Sequence, residues 1–104
     1  MDSIKCSRAE DDRERAGRPW YNLLIVDDEP LILESLYHML VKRYGRKFLV
    51  YQAASADEAL EQFKSIRVDL LMTDIRMPGM DGLSLVRIVE KEWPDCLTVF
   101  LTGH

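Results

Sequence analysis

A run of four aliphatic residues, Leu23-Leu24-Ile25-Val26, stops abruptly at two aspartates, Asp27 and Asp28, and this feature most limits the fold. A strand with one wet face alternates apolar and polar residues. A strand that is apolar at every position is buried on both faces and belongs in the middle of a parallel sheet. Such a sheet needs helices on both sides, so the rest of the chain must supply alternating helices and strands.

The sequence supplies them. Pro30 suits a first helical turn, and Ile32, Leu36, Met39, Leu40 and Arg43 recur on one face of a helix that Gly45 ends. Phe48 to Ala53 is apolar, aromatic and β-branched, as strands are. Ser55-Ala-Asp-Glu58 has the spacing of a capping box, and Ala56, Ala59, Leu60 and Phe63 form the buried stripe of the helix it opens. Val68 to Thr73 reads as a third strand, ending at Asp74. A turn-rich loop, Met77-Pro78-Gly79-Met80-Asp81-Gly82, leads into a helix over 83–93, with Asp81 as its N-cap and Pro94 marking its end. A fourth strand, 98–101, closes on Thr102-Gly103-His104.

The order β-α-β-α-β-α-β predicts an α/β fold: a doubly wound, flavodoxin-like parallel sheet with strand order 2-1-3-4. In such a sheet ligands bind beyond the carboxyl ends of the strands, at the switch point between strands 1 and 3. Asp27, Asp28 and Asp74 all fall there. Converging carboxylates repel one another, and a hard divalent cation such as Mg²⁺ relieves the repulsion. Asp28 is expected to ligate the metal directly, Asp27 directly or through water, and Asp74 to serve as ligand and nucleophile. An aspartate oxygen is a weak nucleophile, but phosphoryl transfer depends mainly on positioning and charge neutralisation.

Three segments resemble, in order and spacing, those of the response-regulator receiver family. Leu-Leu-Ile-Val-Asp27-Asp28-Glu29-Pro30 is similar to its acidic opening. Met72-Thr-Asp74-Ile-Arg76-Met-Pro78-Gly-Met80-Asp81-Gly82 is similar to its phosphoacceptor signature. Phe100-Leu-Thr102-Gly103 is similar to its switch segment. The resemblance covers about Tyr21 to His104. It implies that Asp74 takes a phosphoryl group from a sensor histidine kinase or a small phosphodonor. It further implies that the Arg76 carbonyl completes the metal shell and that the Thr102 hydroxyl binds the phosphoryl oxygens. The Gly103 N–H would approach them too, and the side chains of Arg76 and His104 would flank the acyl phosphate. The family continues with a helix, a fifth strand carrying a lysine, and another helix. None of these is present here, so the fifth strand is expected to be missing from the sheet.

Composition narrows the rest. A net charge of -4 argues against wrapping nucleic acid by charge alone. The two cysteines, Cys6 and Cys96, have no C-x-x-C spacing, so neither a zinc site nor a disulfide framework is expected. With no signal peptide and no long apolar run, a cytoplasmic location is expected and a membrane role is not. Residues 1–19 carry five positive and five negative charges and little to bury, which predicts a disordered leader. An unpaired apolar edge at Val99, Phe100 and Leu101 would invite pairing with a second copy. Alongside the phosphoacceptor reading stand two others. One is an interaction fragment that keeps the fold but ignores phosphorylation. The other is a metal-dependent phosphohydrolase, which usually needs a second acid where Arg76 stands.

Overall fold

The computed structural model describes residues 20–101; the expected leader, Thr102, Gly103 and His104 lie outside them. Seven elements alternate: β1 (Tyr21–Val26), α1 (Pro30–Tyr44), β2 (Phe48–Ala53), α2 (Ala56–Phe63), β3 (Leu70–Asp74), α3 (Gly82–Glu92) and β4 (Leu97–Leu101). All strand pairs are parallel and the order is β2-β1-β3-β4, the flavodoxin-like arrangement expected from the sequence.

Successive residues of β1 point to opposite faces, and both are covered. Leu24 and Val26 pack with Ala59, Phe63, Leu85 and Val89, which puts α2 and α3 on one side. Leu23 and Ile25 pack with Leu33 and Leu40 of α1 on the other. The buried face of α1 is rotated from the expected one, although Leu36 and Leu40 pack inward as expected. Leu33 and Leu40 are buried, whereas Met39 is 48% exposed and Arg43 lies in solvent. Apolar residues cover well over half the circumference of α1, so periodicity alone does not choose which of them face inward.

Local chemistry sets the helix ends. Ser55 Oγ accepts the Glu58 N–H at 3.1 Å, while Glu58 Oε1 accepts the Ala54 N–H at 2.9 Å, one residue before the cap. Asp81 caps α3 by accepting the Ser84 N–H at 2.8 Å. Gly45 ends α1 in a right-handed conformation, φ -63°, with its N–H donating to the Val41 carbonyl.

The third strand starts at Leu70 rather than Val68, because Asp69 serves a different purpose. Asp69 Oδ2 accepts the Asn22 N–H at 2.7 Å, the Asp69 N–H donates to the Asn22 carbonyl, and the Asp69 carbonyl accepts the Leu97 N–H. The Asn22 side-chain amide donates to the Arg67 carbonyl at 2.7 Å. This clasp ties β1, β3 and β4 together at the end of the sheet remote from Asp74. Beyond it, β4 is an edge strand among the described elements, and Leu97 and Val99 are 69% and 43% exposed.

Candidate functional site: an acidic depression at the strand ends

The register pairs Val26 with Thr73, so the next residue along each strand, Asp27 and Asp74, lie side by side where β1 and β3 end. Both are buried, with Asp27 fully so and Asp74 at 6% exposure, while Asp28 is half-buried. Each of the three aspartates offers a carboxylate oxygen, and those oxygens lie within 4.8 Å of one another. An open depression over them is lined by Asp28, Glu29, Ile32, Asp74 and Arg76.

Backbone geometry holds the carboxylates in place. Asp27 Oδ1 accepts the Glu29 N–H at 2.9 Å, which turns the chain out of β1 and into α1. Thr73 is fully buried, and its hydroxyl donates to the Asp74 carbonyl at 3.0 Å. The loop after Asp74 is tied back by the Gly82 N–H, which donates to the Ile75 carbonyl at 2.8 Å. Met77 is buried in the core beside Leu85 and Val86 and anchors this loop from below. Gly79, at φ +75°, takes the left-handed conformation that the loop requires.

The structure therefore brings Asp27, Asp28, Asp74 and Arg76 to one place, as the sequence suggested. Thr102 lies outside the described residues, as do Gly103 and His104. The donor set suits a hard cation. Three carboxylates offer oxygen ligands only, and the open side of the depression leaves room for water, as Mg²⁺ requires. No histidine or thiolate joins the described cluster, which removes the preference for zinc or copper. Sequence reasoning missed the supports: Thr73, Met77, and the contact between Gly82 and Asp74. Met77 sits in a stretch rich in turn residues, where nothing marks it as core.

Residues 23–104 match the response regulator receiver domain family. The chain is 42% identical over 84 residues to the positive alginate biosynthesis regulatory protein of Pseudomonas aeruginosa, covering 80% of this chain and 34% of that protein. It is 38% identical over 83 residues to the transcriptional regulatory protein YvrH of Bacillus subtilis, with coverage of 80% and 34%. The chain thus spans about a third of these curated relatives. Among solved structures it is similar to the response regulator TrrA of Thermotoga maritima in complex with Mg²⁺–BeF. That likeness has a TM-score of 0.73 and 34% identity, and covers 81% of this chain and 70% of that one. A CheY-like receiver domain from Methanospirillum hungatei gives a TM-score of 0.74 at 30% identity, with coverage of 82% and 66%.

Proposed function

The chain belongs to the response regulator receiver family, and from that premise we propose that Asp74 is its phosphoacceptor. The observation that carries this reading is the convergence of Asp27, Asp28 and Asp74 at the ends of adjacent parallel strands. Asp27, Asp28, Asp74 and the Arg76 carbonyl would hold Mg²⁺. When bound, the ion supplies charge neutralisation for the phosphoryl oxygens and the carboxylates.

The remaining work falls to the chain. An Asp74 carboxylate oxygen attacks phosphorus from the open side of the depression, forming a P–O bond. The P–N bond of a kinase phosphohistidine breaks as the imidazole departs with its electron pair and takes a proton. Thr73 and the Gly82–Ile75 hydrogen bond fix the main chain around Asp74, so the attacking oxygen is pre-positioned. Thr102 would bind a phosphoryl oxygen through its hydroxyl and carry the change to the loop after β4. The module is a signalling domain, and its chemistry is limited to its own phosphorylation and dephosphorylation.

A sensor histidine kinase is the proposed donor. In support, an apolar patch formed by Leu31, Ile32, Leu36 and Met39 on α1 runs into the acidic depression through Ile32, which lines both. A donor helix seated there would hold its histidine beside Asp74. In the intact protein this module would govern a transcription regulator in the cytoplasm. No described helix is long and apolar enough to cross a membrane.

Titration calorimetry with MgCl₂ tests the metal half of this reading. One site is expected, weakened about tenfold or more by Asp28→Asn, since losing a ligand should cost no less than losing a supporting hydrogen bond. Equal Mg²⁺ affinity in wild type and variant would overturn the assignment.

A further inference from the structure

The charge of this domain is unevenly spread. No acidic residue occurs between Glu34 and Asp57, yet Lys42, Arg43, Arg46 and Lys47 fall within six positions of that stretch. The structure gathers all four, exposed, where α1 ends and β2 begins. Main-chain hydrogen bonds hold the turn that carries them. The Gly45 N–H donates to the Val41 carbonyl, the Lys47 N–H to the Tyr44 carbonyl, and the Tyr21 N–H to the Lys47 carbonyl at 2.7 Å. Tyr44, next to Arg43 in the chain, is exposed, as are Tyr21, whose N–H meets Lys47, and its neighbour Trp20. Among the described residues no carboxylate pairs with any of the four cations. The nearby buried carboxylate, Asp69, is turned inward onto the Asn22 N–H and faces Arg67 at 3.7 Å.

Lys42 and Arg43 lie in the last turn of α1, where cations offset the negative end of the helix dipole. That accounts for two of the four. Arg46 and Lys47 lie past the helix, and the dipole gives no reason for them.

We propose that this basic end binds the phosphodiester backbone of duplex DNA without reading its sequence. A duplex presents one negative charge per roughly 1.7 Å of axis, about twice the density of an extended acidic peptide, and suits four cations packed close together. Guanidinium groups grip phosphate oxygens in pairs, and the exposed Tyr44 hydroxyl adds a neutral donor to the same oxygens. The site is compatible with the chemistry at Asp74. Six residues of β1 separate the two ends of the sheet, a distance of about 20 Å, so the duplex leaves the acidic depression open. The net charge of the chain conceals this surface, because it sums the four cations with acids elsewhere, among them the three aspartates at the other end of the sheet. The inference rests on the local charge and geometry of this end and is independent of the phosphoacceptor reading.

Fluorescence anisotropy of the full 104-residue chain with a labelled duplex of arbitrary sequence, titrated over a range of KCl concentrations, tests it. The expected log–log dependence of affinity on salt has a slope of about -3.6, the value for four displaced counterions on B-form DNA. Arg46→Gln with Lys47→Gln, both exposed and outside helix and strand, should halve the slope to about -1.8. Phosphorylation of Asp74 should be unchanged in that variant. Should the double variant fold poorly by circular dichroism, Lys42→Gln alone should still reduce the slope by about 0.9. Absence of binding at low salt, or a slope indifferent to these substitutions, would overturn the proposal. Tighter binding to a poly-glutamate peptide than to DNA would also overturn it, in favour of an acidic protein partner.

Discussion

Gly82 stands directly against the main chain of Asp74: a Cβ built on Gly82 would overlap the Asp74 carbonyl oxygen and crowd the Ile75 Cα. The first residue of α3 is therefore packed onto the residue that ends β3, and the helix serves as a backstop for the acidic site. Nothing larger than hydrogen fits without moving the Asp74 backbone, since the colliding atoms belong to main chain rather than to a flexible side chain.

Gly82→Ala should therefore cost stability and disturb the site together. A loss of about 2 kcal/mol or more is expected from forced backbone displacement. Urea denaturation measures the first effect and Mg²⁺ calorimetry the second. An alanine variant with unchanged stability and unchanged Mg²⁺ affinity would show that the contact is not structural.

The α1 face makes a second test. Leu33 is buried against Leu23 and Ile25, whereas Leu31, two residues earlier, is 79% exposed. Leu33→Ala should cost about 2–5 kcal/mol, and Leu31→Ala should stay within about 0.5 kcal/mol. Thermal or urea melts of the two variants separate the outcomes.

That pair also shows how far the sequence could be read. The unbroken Leu23–Val26 run and the strand-terminal acids were legible because a doubly buried strand and a metal-suited cluster each leave a local signature. Alternation implied parallel strands, for which the order 2-1-3-4 was the best fit, and the Ser55 and Asp81 caps followed from spacing. The inner face of α1 was legible only in part: Leu36 and Leu40 pack as expected, but apolar residues extend over more than half of the helix, and the sheet beneath it decides that Leu33 is covered and Met39 is not. The Asp69 clasp was not legible. An acid before a strand usually points to water, and its partner Asn22 is 47 residues away. The Gly82–Asp74 contact likewise needs the tertiary fold to appear.

Cys96 predicts a pH effect. The thiol is buried, and burial, reinforced by the nearby Asp69 charge, pushes its pKa up to about 12 from the ordinary value of 9.0. The neutral form is favoured in the folded state. Above pH 9 the unfolded chain loses this proton while the folded chain keeps it, so stability falls as pH rises, until the folded thiol itself ionises. The slope from this group is at most about 1.4 kcal/mol per pH unit, and Cys96→Ala should remove it. Iodoacetamide should modify Cys96 far more slowly in the native protein than in urea.

Leu97 and Val99 predict self-association. They leave apolar surface exposed on an edge strand, a template for pairing with another copy. Light scattering should find the 104-residue chain associating as concentration rises, and Val99→Lys should shift it towards monomer. A wild-type chain that stays monomeric throughout would contradict this.

The central claim concerns Asp74, and intact-mass spectrometry after incubation with acetyl phosphate tests it most directly, with and without Mg²⁺ and beside Asp74→Asn. The gain of one phosphoryl group, dependent on Mg²⁺ and absent from the variant, is the predicted result. A folded wild-type chain that gains no mass, or an Asp74→Asn variant labelled to the same extent, would contradict it.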